Sequence, residues 1–122
     1  MLLSKLLRNF STGVKIYTDP VKAIEGIKDG SFVLVGGFGF CGVPMNLVNA
    51  IRLKGIKNLT IASNSCGVDG KDLKGDWGLS MLLRTRQIKR LIFSHMGENV
   101  AAQRQYFDGE IELEVVPQGT LS

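Results

Sequence analysis

Apolar residues along the chain fall into short runs divided by glycine-bearing polar stretches, and the period of each run predicts its element. Residues 31–35 (SFVLV) form a continuous apolar run rich in β-formers, which predicts a strand buried on both faces. Residues 58–64 (NLTIASN) and 91–94 (LIFS) predict two more short strands. Between them the apolar residues recur at helical spacing. Val21, Ile24 and Ile27 mark one face of a first helix, opened by Asp19-Pro20, with Thr18 or Asp19 as cap. Pro44 starts a second helix with Leu47, Val48, Ile51 and Leu53 inward, and Gly55 ends it. Residues 78–87 predict a third, with Leu79, Leu82 and Leu83 inward, and residues 98–107 a fourth, its N-terminus suited to Glu98. Residues 110–116 alternate, Ile111, Leu113 and Val115 against Glu110, Glu112 and Glu114, as a strand with one wet face does.

Helix and strand thus alternate four times. This is the order of an α/β domain, a mainly parallel sheet with helices packed over it. Such sheets take ligands beyond the carboxyl ends of their strands. Three segments qualify: residues 36–44, 63–67 and 117–120. Residues 65–77 read as a loop, in which Gly67, Gly70 and Gly75 alternate with Asp69, Lys71, Asp72, Lys74 and Asp76.

The 122 residues suffice for one domain with a core. No apolar run approaches the ~20 residues of a membrane span. The net charge of +4 is uneven: residues 1–18 hold Lys5, Arg8 and Lys15 without an acid, so the remaining 104 residues carry only +1. That balance argues against nucleic acid as a partner. The cluster Arg84, Arg86, Lys89 and Arg90 reads as a solvated helix end, where cations favour the dipole. The arm MLLSKLLRNFSTGVKIYT gathers Leu2, Leu3, Leu6, Leu7 and Phe10 on one helical side beside basic and hydroxyl residues. Amphipathic, basic and acid-free is the pattern of a mitochondrial transit peptide over residues 1–18. Two cysteines, Cys41 and Cys66, and one histidine, His95, predict neither a disulfide framework nor a metal site.

The glycine-rich turn admits several readings. GFGFCG at 37–42 satisfies the dinucleotide pattern between a strand and a helix, but that reading needs an acid about 20 residues on. The second strand ends instead in Ser63 and Asn64, and the nearest acid is Asp69. A phosphate-binding P-loop fails because no Gly-Lys-Ser/Thr follows. A longer pattern fits throughout: Asp29-Gly30, VLV at 33–35, GGF at 36–38, then Gly42 and Pro44. This resembles the first signature of the family I coenzyme A transferases. KIYTD at 15–19, LTIASN at 59–64, QIKR at 87–90, GEN at 97–99, RQY at 104–106 and PQGTL at 117–121 extend the likeness from about residue 14 to 121. Within the family they are similar to the N-terminal part of the mitochondrial members that act on 3-oxoacids.

The resemblance implies that residues 19–122 are part of an α-type CoA-transferase domain. The reaction it implies moves CoA from succinyl-CoA to a 3-oxoacid such as acetoacetate, in ketone-body breakdown in the mitochondrial matrix. A glutamate carboxylate attacks the thioester and a glutamyl–CoA thioester follows, with the CoA ester a substrate and no separate cofactor. It places the family's active-site asparagine on Asn64 and its oxyanion-hole glutamine on Gln118. Gly36, Gly37, Phe38, Gly39, Gly42 and Pro44 are the residues expected to line the CoA site. The full-length enzyme is expected to be a homodimer. The family's nucleophile lies in a Ser-Glu-Asn-Gly string that this chain lacks, so the expectation is a fragment that depends on the remainder of the enzyme. Glu98, in Gly97-Glu98-Asn99, reads instead as a helix N-terminal acid. Ser65-Cys66 departs from the family's usual Asn-Ala, and the loop over residues 70–77 is longer and more charged than the family's. A noncatalytic CoA-binding or subunit-pairing product is the alternative, and a dinucleotide-dependent oxidoreductase is the weaker one.

Overall fold

The structure is a computed structural model and describes residues 15–70, 75–97 and 99–121. The arm assigned to a transit peptide lies outside them as far as Val14, as does Glu98. Five helices and four strands alternate through the described residues: α1 (Pro20–Ala23), β1 (Phe32–Val35), α2 (Met45–Lys54), β2 (Leu59–Ser63), α3 (Ser80–Arg84), β3 (Ile88–Phe93), α4 (Val100–Phe107), β4 (Glu112–Val115) and α5 (Gln118–Leu121). The strands form one sheet in the order β1-β2-β3-β4, every pair parallel.

This topology decides where the core sits. Parallel crossovers are right-handed, so strands laid down in sequence order place all their connecting helices on one face. Helices α1 to α4 accordingly touch in succession over that face. Val33 and Val35, Leu59 and Ile61, Leu91 and Phe93 alternate towards them and meet Val48, Ile51, Leu82, Leu83 and Ala102. The opposite face carries two rows set by the register, Phe32–Thr60–Arg90–Glu112 and Leu34–Ala62–Ile92–Glu114. There Phe32 is 61% exposed and Leu34 75%. The expectation that residues 31–35 are buried on both faces is therefore corrected: β1 is an edge strand with a single covered face.

Other expectations shift for local reasons. Asp19 caps α1, its Oδ1 accepting from the Val21 amide at 2.9 Å, but Val21 faces outward and only Ile24 of that helix's predicted stripe is fully buried. In α2 the buried stripe is Val48, Ala50 and Ile51, and Leu47 and Leu53 lie outside it, exposed. The predicted helix over 78–87 contracts to α3, because Arg86 adopts φ +53 and Gln87 turns inward. The Gln87 amide nitrogen donates to the carbonyls of Ile51 (3.0 Å) and Ile56 (2.8 Å), which ties the end of α2 to the start of β3. Strand β3 begins three residues before the predicted Leu91. The basic cluster is consequently split: Arg84 ends α3 and Arg86 follows it, but Lys89 and Arg90 lie in β3. Arg84 pairs with Asp69 and Asp76, Arg86 with Glu110 and Arg90 with Glu114.

Helix α4 is capped by Asn99, whose Oδ1 accepts from the Ala102 amide at 2.9 Å. Its side-chain nitrogen donates to the Cys66 carbonyl and to Ser80 Oγ, each at 3.1 Å. This buried amide joins three segments that a surface cap would leave apart. No helix among the described residues is long and apolar enough to cross a membrane.

Candidate functional site

The glycine turn leaves β1 at its carboxyl end and folds tightly. Phe38 and Cys41 exchange backbone hydrogen bonds of 2.9 Å in both directions. Gly37 needs its lack of a side chain twice over: φ is +120, and a Cβ there would come within 2.7 Å of Val43 Cγ2. The tightness exposes Phe38 and Phe40 towards the strand ends rather than into the core. Pro44 occupies the N-cap of α2 and has no side chain able to cap it.

Asn64 follows β2 directly. Its carbonyl accepts from the Ser94 and His95 amides, both at 3.2 Å, so the ends of β2 and β3 are laced together. Ser94 Oγ also lies 2.8 Å from that carbonyl and 2.7 Å from Asn64 Oδ1. With the side-chain oxygen accepting from Ser94, the Asn64 amide nitrogen is the group left to donate. Gln118 begins α5, just beyond β4.

These ends converge. A cleft of about 440 Å³ is lined by Phe38 and Gly39 of the glycine turn, by Asn64 and Ser65, by Ser94 and His95, and by Gln118. Gly36 and Gly37 line a neighbouring hollow of about 250 Å³ with Leu34, Asn64 and Leu121. Gly42 and Pro44 shape the turn without entering the wall of either. Asn64 and Gln118, distant in sequence, thus share one cleft with two of the six turn residues singled out from the sequence. Two uncharged amides can donate to a developing oxyanion without adding charge. Among the described residues no group of three or more His, Cys, Asp or Glu side chains is placed to hold a metal.

Sequence reasoning missed Ser94 and His95. It ended a strand at Ser94 yet did not count the residues beyond it as a strand end, although the rule used for the other three applies equally. It also missed the ionic clasp behind the site. Arg84 Nη2 donates to Asp69 (2.8 Å), to Asp76 (2.7 Å) and to the Gly70 carbonyl (2.8 Å), and Arg84 Nε donates to Asp76. Asp69 Oδ2 accepts from the Ala101 amide at 3.1 Å. The clasp pins residues 69–70 and 76 to α3 and α4. Burial alone would raise the Asp76 carboxyl, but the Arg84 guanidinium and the Gly70 amide outweigh it and hold the group below its ordinary value. Cys66 sits behind the same loop, and burial pushes its thiol up to about 12.

Comparison with known proteins bears on this arrangement. Residues 17–122 match the family model described as "Coenzyme A transferase". The chain belongs to the coenzyme A transferase family. It is 48% identical over 121 residues to succinyl-CoA:3-ketoacid coenzyme A transferase 2B, mitochondrial, of Mus musculus, an alignment covering 99% of the chain and 22% of that protein. It is 49% identical over 108 residues to one of the subunits of the succinyl-CoA:3-ketoacid coenzyme A transferase of Helicobacter pylori strain J99, covering 88% of the chain and 44% of that polypeptide. The chain therefore spans about a fifth of the length of the mouse relative and under half of the bacterial one. Among solved structures, an acyl-CoA transferase of Escherichia coli O157:H7, in a thioester complex with CoA, superposes with a TM-score of 0.65 at 23% identity, over 84% of this chain and 20% of that one. At that identity the likeness is one of fold. The family assignment agrees with the long glycine signature and with the α/β reading of the sequence.

Proposed function

We propose that this chain contributes the glycine turn and the amide donors to a CoA-transferase site that moves CoA from succinyl-CoA to a 3-oxoacid such as acetoacetate. The observation that carries this reading is the shared cleft of Asn64 and Gln118 at the glycine turn, in a chain of the coenzyme A transferase family. The nucleophile is a glutamate supplied from outside these 122 residues. Its carboxylate attacks the thioester carbonyl, and the tetrahedral oxyanion collapses to an acyl–glutamyl anhydride with release of the CoA thiolate. The thiolate attacks the glutamyl carbonyl and displaces succinate, leaving a glutamyl–CoA thioester. The 3-oxoacid carboxylate then reverses both steps and departs as the new CoA ester. Each step forms an oxyanion, and Gln118 and Asn64 are the donors on this side of the site. The CoA ester is a substrate, and no further cofactor enters the scheme.

The long match to the mouse mitochondrial relative, which takes in the N-terminal arm, supports a transit peptide over residues 1–18 and residence in the mitochondrial matrix. The partner is the remainder of the enzyme, assembled as a homodimer. The test is transfer from succinyl-CoA to acetoacetate by the chain alone and together with the polypeptide bearing the glutamate. The chain alone is expected to be inactive. The assembled enzyme should gain the mass of CoA less one water on that polypeptide when the acceptor is withheld. Gln118→Ala should lower kcat by about 10²–10³-fold. An unchanged rate would remove Gln118 from the site.

A further inference from the structure

The transfer steps leave a second cleft unused. It measures about 390 Å³ and adjoins the first, sharing Gly39, Ser65 and His95 with it. Its lining is different in kind. Phe40, Val68 and Met96 give it apolar walls. These walls are held in place: the Phe40 ring leans on Trp77 with centroids 6.0 Å apart, and Val68 and Trp77 exchange backbone hydrogen bonds of 2.9 Å in both directions.

The polar groups of this cleft divide sharply. Asp69 is engaged by Arg84 and by the Ala101 amide, so its charge is answered inside the protein. Asn99 is engaged by Cys66, Ser80 and Ala102. His95 is exposed, and among the described residues its ring makes no hydrogen bond. The ring sits against Gly97, where a Cβ would lie 3.4 Å from His95 Nε2. Its own backbone amide donates to the Asn64 carbonyl at 3.2 Å, which fixes it one residue's reach from the amide site. An apolar slot with the His95 ring and the Ser65 hydroxyl at its junction with a reactive cleft suits a short acyl chain that ends in a polar group.

We propose that the second cleft receives the tail of the acyl group, with Phe40, Val68 and Met96 along its methylenes and His95 donating to the carboxylate or keto oxygen at its far end. The inference rests on the CoA-transfer reading of the first cleft, with the thioester carbonyl beside Asn64 and Gln118. Neutral and protonated imidazole each carry an N–H, so the contact holds in either state. His95 becomes the residue by which this chain distinguishes a succinyl or 3-oxoacyl tail from a plain alkyl one.

The single histidine makes the test direct, because the imidazole nitrogen signals in a ¹H–¹⁵N correlation spectrum belong to His95 alone. The protein is titrated with succinate, with butyrate (the same chain length without the second carboxylate) and with sulfate at matched ionic strength. Succinate is expected to shift the signals saturably, butyrate to need about tenfold more ligand, and sulfate to produce no saturation. His95→Leu should weaken succinate binding about tenfold by calorimetry, and His95→Gln, which keeps a donor, should stay within about threefold of the parent. Unmoved signals, or equal shifts by sulfate (an adventitious ion only), would overturn the proposal. Equal binding by His95→Leu and the parent would do the same. The two readings separate cleanly: succinate binding without any transfer would fault the proposed reaction, whereas Gln118-dependent transfer with an unresponsive His95 would fault only the tail pocket.

Discussion

Ser94 Oγ lies within hydrogen-bond distance of both oxygens of Asn64, 2.8 Å from the carbonyl and 2.7 Å from Oδ1. One hydroxyl at the end of β3 therefore sets the side chain that ends β2. The β2–β3 register ends at Ala62 with Ile92, and an isolated parallel bridge between Ser65 and His95 lies just beyond Asn64 and Ser94. The hydroxyl adds a side-chain contact to the backbone bonds that the Asn64 carbonyl accepts from Ser94 and His95.

This gives a first prediction. Ser94→Ala should lower stability by about 1 kcal/mol, the net worth of a part-buried hydrogen bond. Added to Asn64→Ala it should cost much less than the two singles together, since the contact is already gone. Equilibrium denaturation of the two single variants and the double variant measures the coupling. Additive effects would show that the hydroxyl does not hold Asn64.

The Arg84 clasp predicts an acid limit to stability. The native Asp76 carboxyl is held below its ordinary value, so its contribution is complete above the unfolded carboxyl pKa of about 3.9 and fades as the pH falls from there towards the native value. Asp76→Asn should cost about 2–3 kcal/mol at neutral pH, less than a fully buried pair because the Arg84 side chain is 31% exposed. The variant should also lose less stability than the parent between pH 5 and about pH 3. Parallel curves over that range would mean that Asp76 is not the titrating group.

The fold was legible in the sequence wherever hydrophobic period alone decides. The alternation at Ile111, Leu113 and the glutamates, and the αL stop at Gly55 (φ +67), needed no tertiary information. What the period could not reveal was which face of an apolar strand is covered. Phe32-Val-Leu-Val reads the same at an edge as at a centre, and only the strand order exposes Phe32 and Leu34. The buried amides were hidden for a related reason. Gln87 and Asn99 look like surface residues until chain segments 30 or more positions away supply their carbonyl partners. At the cleft, the family resemblance singled out the glycine turn, Asn64 and Gln118, and the strand-end rule singled out the segments that carry them. His95 carried no local signal beyond its place after a strand.

The two cysteines should differ sharply in reactivity. Cys41 is exposed at the tip of the glycine turn, whereas Cys66 is fully buried with its thiol raised to about 12. Thiolate is the reactive form. A disulfide reagent at pH 8 should therefore modify one thiol per native chain rapidly and the second only on unfolding. Cys41→Ser should remove the fast phase and leave the slow one. Two fast phases in the native protein would contradict the burial of Cys66.

The uncovered face of the sheet leads to the last prediction. Parallel sheets are ordinarily covered on both sides, yet here Phe32 and Leu34 stand open beside Ala62 and Ile92, while the far half of the same face is charged by Arg90 and its partner Glu114. The apolar half adjoins the open edge of β1, so hydrophobic contact and unpaired backbone groups coincide. In the 122-residue chain this should produce concentration-dependent association and binding of hydrophobic dyes. Phe32→Thr with Leu34→Lys keeps β-compatible residues on the outward positions and leaves Val33 and Val35 in the core. The pair should change stability by less than about 1 kcal/mol, as surface substitutions do, while cutting dye binding and shifting sedimentation towards the monomer. Unaltered association would mean that some other surface holds the copies together. A loss of several kcal/mol would mean that this face is packed rather than open.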